Sequence, residues 1–118
     1  MLLFVGERRS ERAKKLGLHW EDGGLAAKPL FEALDAVGID PARCRFVNWF
    51  EGGKAATRRH RGPIVALGAK VQKALADESI RFIPLVHPAA RGAIRRRDRY
   101  IAHVVDRLGA LKPRRRAA

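Results

Sequence analysis

The sequence predicts an α/β fold organised around a mainly parallel β-sheet. Four apolar runs recur along the chain, and each is continuous rather than alternating with polar residues. Runs of this kind are typical of strands that are covered on both faces. Between the runs lie segments whose apolar residues recur at helical spacing. Strands that alternate with helices in this way indicate a layered α/β domain.

The first two predicted strands flank the clearest helix. "LLFVG" (2–6) ends in glycine, and "CRFVNWF" (44–50) is rich in residues with high β propensity. Between them, "KPLFEALDAVGID" has an apolar helical face made of Leu30, Phe31, Leu34 and Val37. Pro29 suits the first turn of this helix, and Gly38 suits its end.

The second half of the chain repeats the pattern. "PIVALG" (63–68) and "IRFIPLVH" (80–87) are the third and fourth predicted strands, and "AKVQKALADES" between them is a short amphipathic helix. A last helix is predicted from an apolar stripe that consists of Ile94, Ile101, Val104, Val105 and Leu108. We expect a single domain over residues 1–110, followed by a basic, disordered tail at 111–118.

The charge of the chain favours a polyanionic partner. The 118 residues include 25 Lys and Arg against 12 Asp and Glu, a formal net charge of +13. A field of this sign concentrates polyanions near the surface. Nucleic acid is therefore the favoured partner. A membrane surface or an acidic protein is the alternative, and the charge also suits mere solubility.

Several classes of site and location are disfavoured by the sequence. The single cysteine, Cys44, allows no intrachain disulfide and no cysteine-based zinc or iron–sulfur site. No HExxH, P-loop, GxGxxG or GxSxG motif is present. No segment has the apolar length of a membrane span, and the apolar start is too short for a signal peptide. We expect a cytoplasmic monomer that needs no cofactor and no metal.

Three polar residues follow predicted strands, and each has two interpretations. Because the carboxyl ends of parallel strands meet at one edge, Glu7, Asn48 and His87 should converge there. Glu7 would orient a water, or simply pair with Arg8 or Arg9. Asn48 has the donor and the acceptor that reading a base edge needs, or it closes a loop. His87 would donate to an oxygen that gains charge, or it caps the strand end.

Aromatic and basic residues complete the candidate site. Trp20, Trp49 and Phe50 could stack on a base, although we expect at least one of them to pack in the core. Five arginines fall within residues 91–99, which follow His87-Pro88 after two alanines. Arginines placed there suit contacts with nucleic-acid phosphates.

The ordered set "FVGE", "VNWF", "IVALGAKVQKAL" and "PLVHPA" resembles the uracil-DNA glycosylase superfamily. It is most similar to the branch whose first motif reads Gly-Glu-x-Pro-Gly and whose last motif is a strand ending in His-Pro. The resemblance runs from Leu2 to about Val105. It implies a three-layer α/β/α sandwich around a four-stranded parallel sheet. It also implies excision of uracil or a related deaminated base by base flipping and hydrolysis of the N-glycosidic bond.

The resemblance assigns a role to each candidate residue. His87 would stabilise charge on the leaving base, and Glu7 would help to position the attacking water. Asn48 would read the base, with Trp20 and Phe50 as the stacking aromatics. We expect phosphate contacts from Arg8, Arg58, Arg59, His60, Arg91, Arg95 and Arg96.

The sequence departs from the family pattern in four places. Arg8-Arg9 stands where the branch has Pro-Gly, and one cysteine stands where it has four, so no iron–sulfur cluster is expected. The helix that normally precedes "IVALG" is expected to be missing, replaced by "EGGKAATRRHRG". Ala89-Ala90 occupies the place of a larger wedge in the loop that the family inserts into DNA.

The departures keep other functions open. A non-catalytic nucleic-acid binder with the same fold is the main alternative, and an α/β module that binds a nucleotide or a protein is another. One subgroup of the family has a Lys/Arg-rich loop ending in a histidine that can bond to the sugar. Arg58-Arg59-His60 is similar to that loop but shorter, and a phosphate-binding loop is the favoured interpretation.

Overall fold

Four apolar runs form strands at the predicted places. The computed structural model describes residues 1–22, 27–88 and 96–109. In chain order, its strands and helices are β1 (Leu3–Gly6), α1 (Glu11–Leu16), α2 (Ala27–Val37), β2 (Arg45–Asn48), α3 (Lys54–Arg59), β3 (Ile64–Leu67), α4 (Ala69–Asp77), β4 (Ile83–Leu85) and α5 (Arg97–Leu108). A wide turn, Trp49–Gly53, links β2 to α3. The predicted tail at 111–118 lies outside the described residues.

The four strands form one parallel sheet in the order β2-β1-β3-β4. The register pairs Gly6 of β1 with Asn48 of β2, and Leu67 of β3 with Leu85 of β4. Pro84 lies in β4, an edge strand, where a missing backbone donor is tolerated. The α/β class and the four-stranded parallel sheet are confirmed, and the three-layer arrangement stays a prediction.

Apolar side chains pack on both faces of the sheet. Alternate residues of a strand point to opposite faces. Phe4 therefore packs with buried residues of α2 and α5, whereas Leu3 and Val5 pack with buried residues of α4. Every residue of β1 and β3 is buried, which is why their apolar runs are continuous.

Helix α2 buries the predicted face and ends where its sequence predicts. Its apolar face buries Leu30, Leu34 and Val37. The helix ends at Val37 and is followed by Gly38, whose φ of 86° is in the left-handed region that suits glycine. There the Ile39 N–H donates to the Leu34 carbonyl at 2.9 Å, a bond that closes the helix terminus.

Two expectations about helices are wrong. The segment before β3 contains a helix after all, because α3 follows directly on the wide turn, where Gly52 has a φ of 84°. The buried Thr57 hydroxyl donates to the Gly53 carbonyl at 2.7 Å and stabilises its first turn. In α5, Val105 is 43% exposed, because the buried face is centred on Tyr100, Val104 and Leu108 at intervals of four residues. Ile94 lies outside the described residues.

None of the helices in the described part of the chain is both long and apolar enough to cross a membrane.

Candidate active site

Glu7, Asn48 and His87 line one cleft at the carboxyl edge of the sheet. Glu7 directly follows β1, Asn48 is the last residue of β2, and His87 lies two residues beyond β4. Trp20 lines the same cleft, which has a volume of about 610 Å³. That volume lies in the range of roughly 300–1,000 Å³ that is typical of sites for small ligands. Arginine side chains also line it, from Arg8, Arg9 and Arg12.

Gly6 lets Asn48 and Trp20 meet above the end of β1. A Cβ at position 6 would lie 2.6 Å from Asn48 Oδ1 and 2.9 Å from Trp20 Cζ2. Both distances are shorter than van der Waals contact, so any side chain here would displace one of the two residues. The glycine that closes the first apolar run is therefore required by the packing of the site.

The amide of Asn48 is fixed by two hydrogen bonds within the chain. Trp20 Nε1 donates to Asn48 Oδ1 at 2.9 Å, and Asn48 Nδ2 donates to Glu51 Oε1 at 3.1 Å. These partners set which side of the amide carries the oxygen and which the nitrogen. Each amide atom retains capacity for one further hydrogen bond.

Glu51 is held in place by Arg9. The Arg9 backbone N–H donates to Glu51 Oε1 at 2.6 Å, and Arg9 Nε lies 3.5 Å from Glu51 Oε2. Burial acts to raise the pKa of Glu51, but the bonds from Arg9 outweigh it and hold the pKa below its usual range. The carboxylate that orients Asn48 is thus ionised at neutral pH.

The ring of Trp20 lies between the core and the cleft. It stacks on Phe46 with ring centroids 6.0 Å apart, and its centroid lies 6.3 Å from that of the His87 ring at an angle of 58°. Phe46 stacks in turn on the buried Phe4. A row of rings therefore connects the hydrophobic core to the cleft.

Glu7 pairs with a lysine that the sequence did not suggest. Its Oε1 lies 3.4 Å from Nζ of Lys70 in the first turn of α4, and the Glu7 side chain is 34% exposed. The expected alternative partners were Arg8 and Arg9. Arg9 instead binds Glu51, and Arg8 lies over the ring of Phe50 at 5.3 Å from its centroid.

His87 is half-buried at the end of the cleft nearest β4. Burial lowers the pKa of its imidazole from the ordinary value of 6.5, while the nearby charge of Glu7 acts in the opposite direction. The ring is therefore mainly neutral at pH 7. A neutral ring carries one N–H donor and one acceptor. Gly68 suits its position beside this ring because its φ is 95°, whereas a Cβ on it would only make an ordinary contact with His87 Cβ, at 3.4 Å.

The three candidate aromatic residues occupy different environments. Trp20 lines the cleft, and Phe50 is 41% exposed but is not among the described residues that line it. Phe50 stays close, because its backbone N–H donates to the Glu7 carbonyl at 3.1 Å. Trp49 is 3% exposed and packs in the core, as expected for at least one of the three.

The predicted phosphate contacts are not all brought together. His60 Nε2 lies 2.8 Å from the Met1 carbonyl oxygen, at the amino edge of the sheet and so at the opposite end from the cleft. Arg58 binds Glu78 at that end with two hydrogen bonds of 2.7 and 2.8 Å. Arg59 neighbours both residues at the end of α3. This position does not favour a covalent role for His60 in the cleft.

Of the predicted phosphate contacts after β4, the structure describes only Arg96. Arg96 precedes α5 and is exposed, with its Nε 3.7 Å from Asp98 Oδ1. Arg91 and Arg95 lie outside the described residues, as do Ala89 and Ala90. Over residues 1–22, 27–88 and 96–109, no three His, Cys, Asp or Glu side chains are grouped so that they could hold a metal ion.

Gly6→Ala is expected to disrupt the cleft without unfolding the protein. The added methyl group must displace the Asn48 amide or the Trp20 ring, because it would lie less than 3 Å from both. We expect a change in tryptophan fluorescence and a loss of site function, with the far-UV circular dichroism retained. Gly17→Ala is the control for replacing a glycine outside the cleft, because no atom lies within 4 Å of a Cβ at that position. The φ of 67° at Gly17 adds backbone strain but no clash. Unchanged tryptophan fluorescence in the Gly6 variant would contradict this geometry.

The titration of His87 tests the burial of the ring. We expect its folded-state pKa, measured by NMR, to lie below 6.5 and to fall further in Glu7→Gln, because the Glu7 charge raises it. The neutral ring is favoured by the fold. The neutral His87 ring therefore contributes to the free energy of unfolding above about pH 6.5. This contribution is lost as the pH falls from about 6.5 through the folded-state pKa. A measured pKa at or above 6.5 would show that the ring is not buried as described.

The comparisons with known proteins do not assign this chain to a family. No protein-family model matches the chain. No curated protein matches it either. The resemblance to the uracil-DNA glycosylase superfamily therefore rests on the four short motifs alone.

Proposed function

We propose that this protein is a DNA glycosylase that removes uracil or a related deaminated base from DNA. The observation that carries the proposal is the single cleft in which Glu7, Asn48, His87 and Trp20 meet, with arginines along it. A carboxylate, an amide, an imidazole and an aromatic ring are the groups needed to hold a base and to hydrolyse its bond to the sugar.

Asn48 and Trp20 would bind the base after it is rotated out of the stack. The Asn48 amide is already oriented by Trp20 and Glu51, so little freedom is lost when it binds. Its remaining donor and acceptor capacity matches a uracil edge, on which a carbonyl oxygen lies beside a ring N–H. The indole ring offers a face for stacking, worth about 1–3 kcal/mol per base.

His87 and Glu7 would act on the glycosidic bond. As the bond between C1′ and the base nitrogen breaks, its electron pair leaves with the base, and negative charge grows on the base oxygens. The neutral His87 ring would donate its N–H to one of these oxygens. Glu7 would orient a water whose oxygen adds to C1′ and would stabilise the positive charge developing on the sugar. The water passes one proton to solvent, and solvent protonates the released base anion, so that no net proton is gained or lost.

A non-catalytic nucleic-acid binder is the second candidate, and one observation favours it. The groups that would act on the base are bonded within the chain, Asn48 to Trp20 and Glu51, and Glu7 to Lys70. Such bonds suit a structural role. In a glycosylase, changes to these residues should abolish excision. In a binder, there is no excision to lose, and nucleic-acid binding is the only activity.

An excision assay with a parallel gel shift separates the two candidates. Labelled single- and double-stranded oligonucleotides carrying uracil, hypoxanthine or xanthine would be incubated with the protein and cleaved with alkali at abasic sites. We expect cleavage that is lost in Asn48→Ala and kept in His60→Ala, the control at the opposite edge. Binding without cleavage of any of these substrates would support the binder instead.

The salt dependence of binding identifies the face that contacts DNA. Arg8 is beside the cleft, whereas Arg59 is at the opposite end of the sheet. We expect Arg8→Ala to reduce the slope of log K against log salt by about 1, as for the loss of one phosphate contact. Arg59→Ala should leave the slope unchanged. Equal reductions in both variants, measured by fluorescence anisotropy, would mean that DNA is not held mainly at the cleft.

A further inference from the structure

The residue before His87 is held by two side chains of α5. The Val86 N–H donates to His103 Nε2 at 3.0 Å, and the Tyr100 hydroxyl donates to the Val86 carbonyl at 2.8 Å. Tyr100 and His103 are three residues apart, so they lie on the same face of the helix. Both backbone polar groups of Val86 are therefore bonded to side chains and not to a strand.

These bonds act where the sheet no longer fixes the chain. β4 is an edge strand, and its pairing with β3 ends at Leu67 and Leu85. The Gly68 N–H makes one more bond, to the Leu85 carbonyl at 2.9 Å. Val86 lies one residue beyond this pairing, and His87 follows it. The peptide that joins Leu85 to Val86 is also held from α4, because its carbonyl accepts from Gln72 Nε2 at 3.1 Å. The peptide that joins Val86 to His87 is held from α5, by the hydroxyl of Tyr100 on its carbonyl.

Both side chains are in the protonation state that the bonds require. Burial raises the pKa of Tyr100, so its hydroxyl remains a donor. Burial, together with the charge of Arg107, lowers the pKa of His103, and Asp106 opposes this shift. A neutral His103 ring with its proton on Nδ1 leaves Nε2 free to accept from Val86.

The helix that carries these side chains is anchored in the core. Tyr100, Val104 and Leu108 are each no more than 2% exposed and pack in the same cluster as α2. Outside the core, Arg97 forms an ion pair with Glu32 of α2. The position of Val86 is therefore set by a rigid part of the fold.

We infer that Tyr100 and His103 are positioning residues, which fix the imidazole of His87 in the cleft through the peptide of Val86. The catalytic meaning of this inference rests on the proposed function, whereas the placement of the His87 ring does not. A misplacement of about 1 Å in a catalytic group can cost on the order of 10²-fold in rate. Neither residue would touch the base.

An NMR titration of the His87 ring tests the positioning without any assay of activity. The variants are Tyr100→Phe, which removes only the hydroxyl, His103→Leu, which removes the acceptor, and His103→Gln, which supplies another. Val105→Ala, on the exposed face of the same helix, is the matched control. We expect the pKa of His87 to move upward toward 6.5 in the first two variants, less in His103→Gln, and not in the control.

Excision kinetics then test the catalytic meaning. We expect kcat to fall by about tenfold or more in Tyr100→Phe with KM little changed, because the ring is misplaced and the binding groups are not. If His87 shifts in the variants while the wild type excises no base, the positioning stands and the proposed function fails. If His87 titrates alike in wild type, Tyr100→Phe and His103→Gln, the inference is overturned, whether or not His103→Leu folds.

Discussion

His87→Ala is expected to lower the excision rate by on the order of 10²–10³-fold, the usual effect of removing a donor to a developing oxyanion. The ring lines the cleft beside Trp20, and burial keeps it mainly neutral, so it carries one N–H donor at pH 7. Binding to the duplex should be nearly unchanged, because in the proposal the arginines, and not this ring, contact the phosphates. Single-turnover excision and gel shift, measured on the same preparations, give both quantities.

The controls for His87→Ala separate chemistry from folding. His87→Gln keeps an N–H donor at a similar distance from the backbone and should retain more activity than the alanine variant. His60→Ala removes a histidine at the amino edge of the sheet and should excise like the wild type. A rate for His87→Ala within about tenfold of wild type would exclude the role of oxyanion donor.

Phe4→Ala is expected to lower the free energy of unfolding by about 3–5 kcal/mol, which is near the upper range for a single core substitution. Phe4 is fully buried in the middle of β1 and contacts the cluster formed by α2 and α5. It also stacks on Phe46, with ring centroids 5.0 Å apart and ring planes at 13°. The loss of this ring leaves a cavity under the row of rings that supports Trp20. Urea unfolding gives the free energy.

Phe50→Ala is the matched control for the loss of a phenylalanine ring. Phe50 is 41% exposed, so its removal should change the free energy of unfolding by no more than about 0.5 kcal/mol. If Phe4→Ala costs less than about 1 kcal/mol, the sheet is not packed as described. Equal costs for the two substitutions would contradict the assignment of Phe4 to the core and Phe50 to the surface.

The strands and the longer helices could be predicted because burial leaves a periodic trace in the sequence. β1 and β3 are buried on both faces, so their apolar runs are uninterrupted. The two six-residue helices leave no such trace. α1 buries no residue and is defined by its two ends. At its start, Ser10 Oγ accepts a hydrogen bond from the Ala13 N–H, and at its end Gly17 adopts a left-handed conformation. A pattern of apolar residues cannot reveal a helix that has no apolar face.

The site was predictable where it depends on strand ends and not where it depends on loops. Glu7, Asn48 and His87 follow strands, and parallel pairing brings such residues to one edge. The contacts of Arg9 with Glu51 and of Lys70 with Glu7 depend on the path of a turn and of a helix, which residue spacing does not give.

The order of the elements alone places His60 away from the cleft. His60 precedes β3 and follows α3, which returns the chain from the carboxyl edge of the sheet to the amino edge. A residue that directly precedes a parallel strand lies at the amino end of that strand. The basic residues 58–60 could therefore have been separated from the cleft by topology alone.

The release of free base under multiple turnover tests the central claim most directly. A single-stranded oligonucleotide with one uracil, hypoxanthine or xanthine would be supplied in excess over the protein, and the released base would be identified by mass spectrometry. We predict that one of these bases is released repeatedly by the wild type and that none is released by Asn48→Ala or His87→Ala. No release by a wild-type preparation that binds the same oligonucleotide, or equal release by the variants, would contradict the proposal.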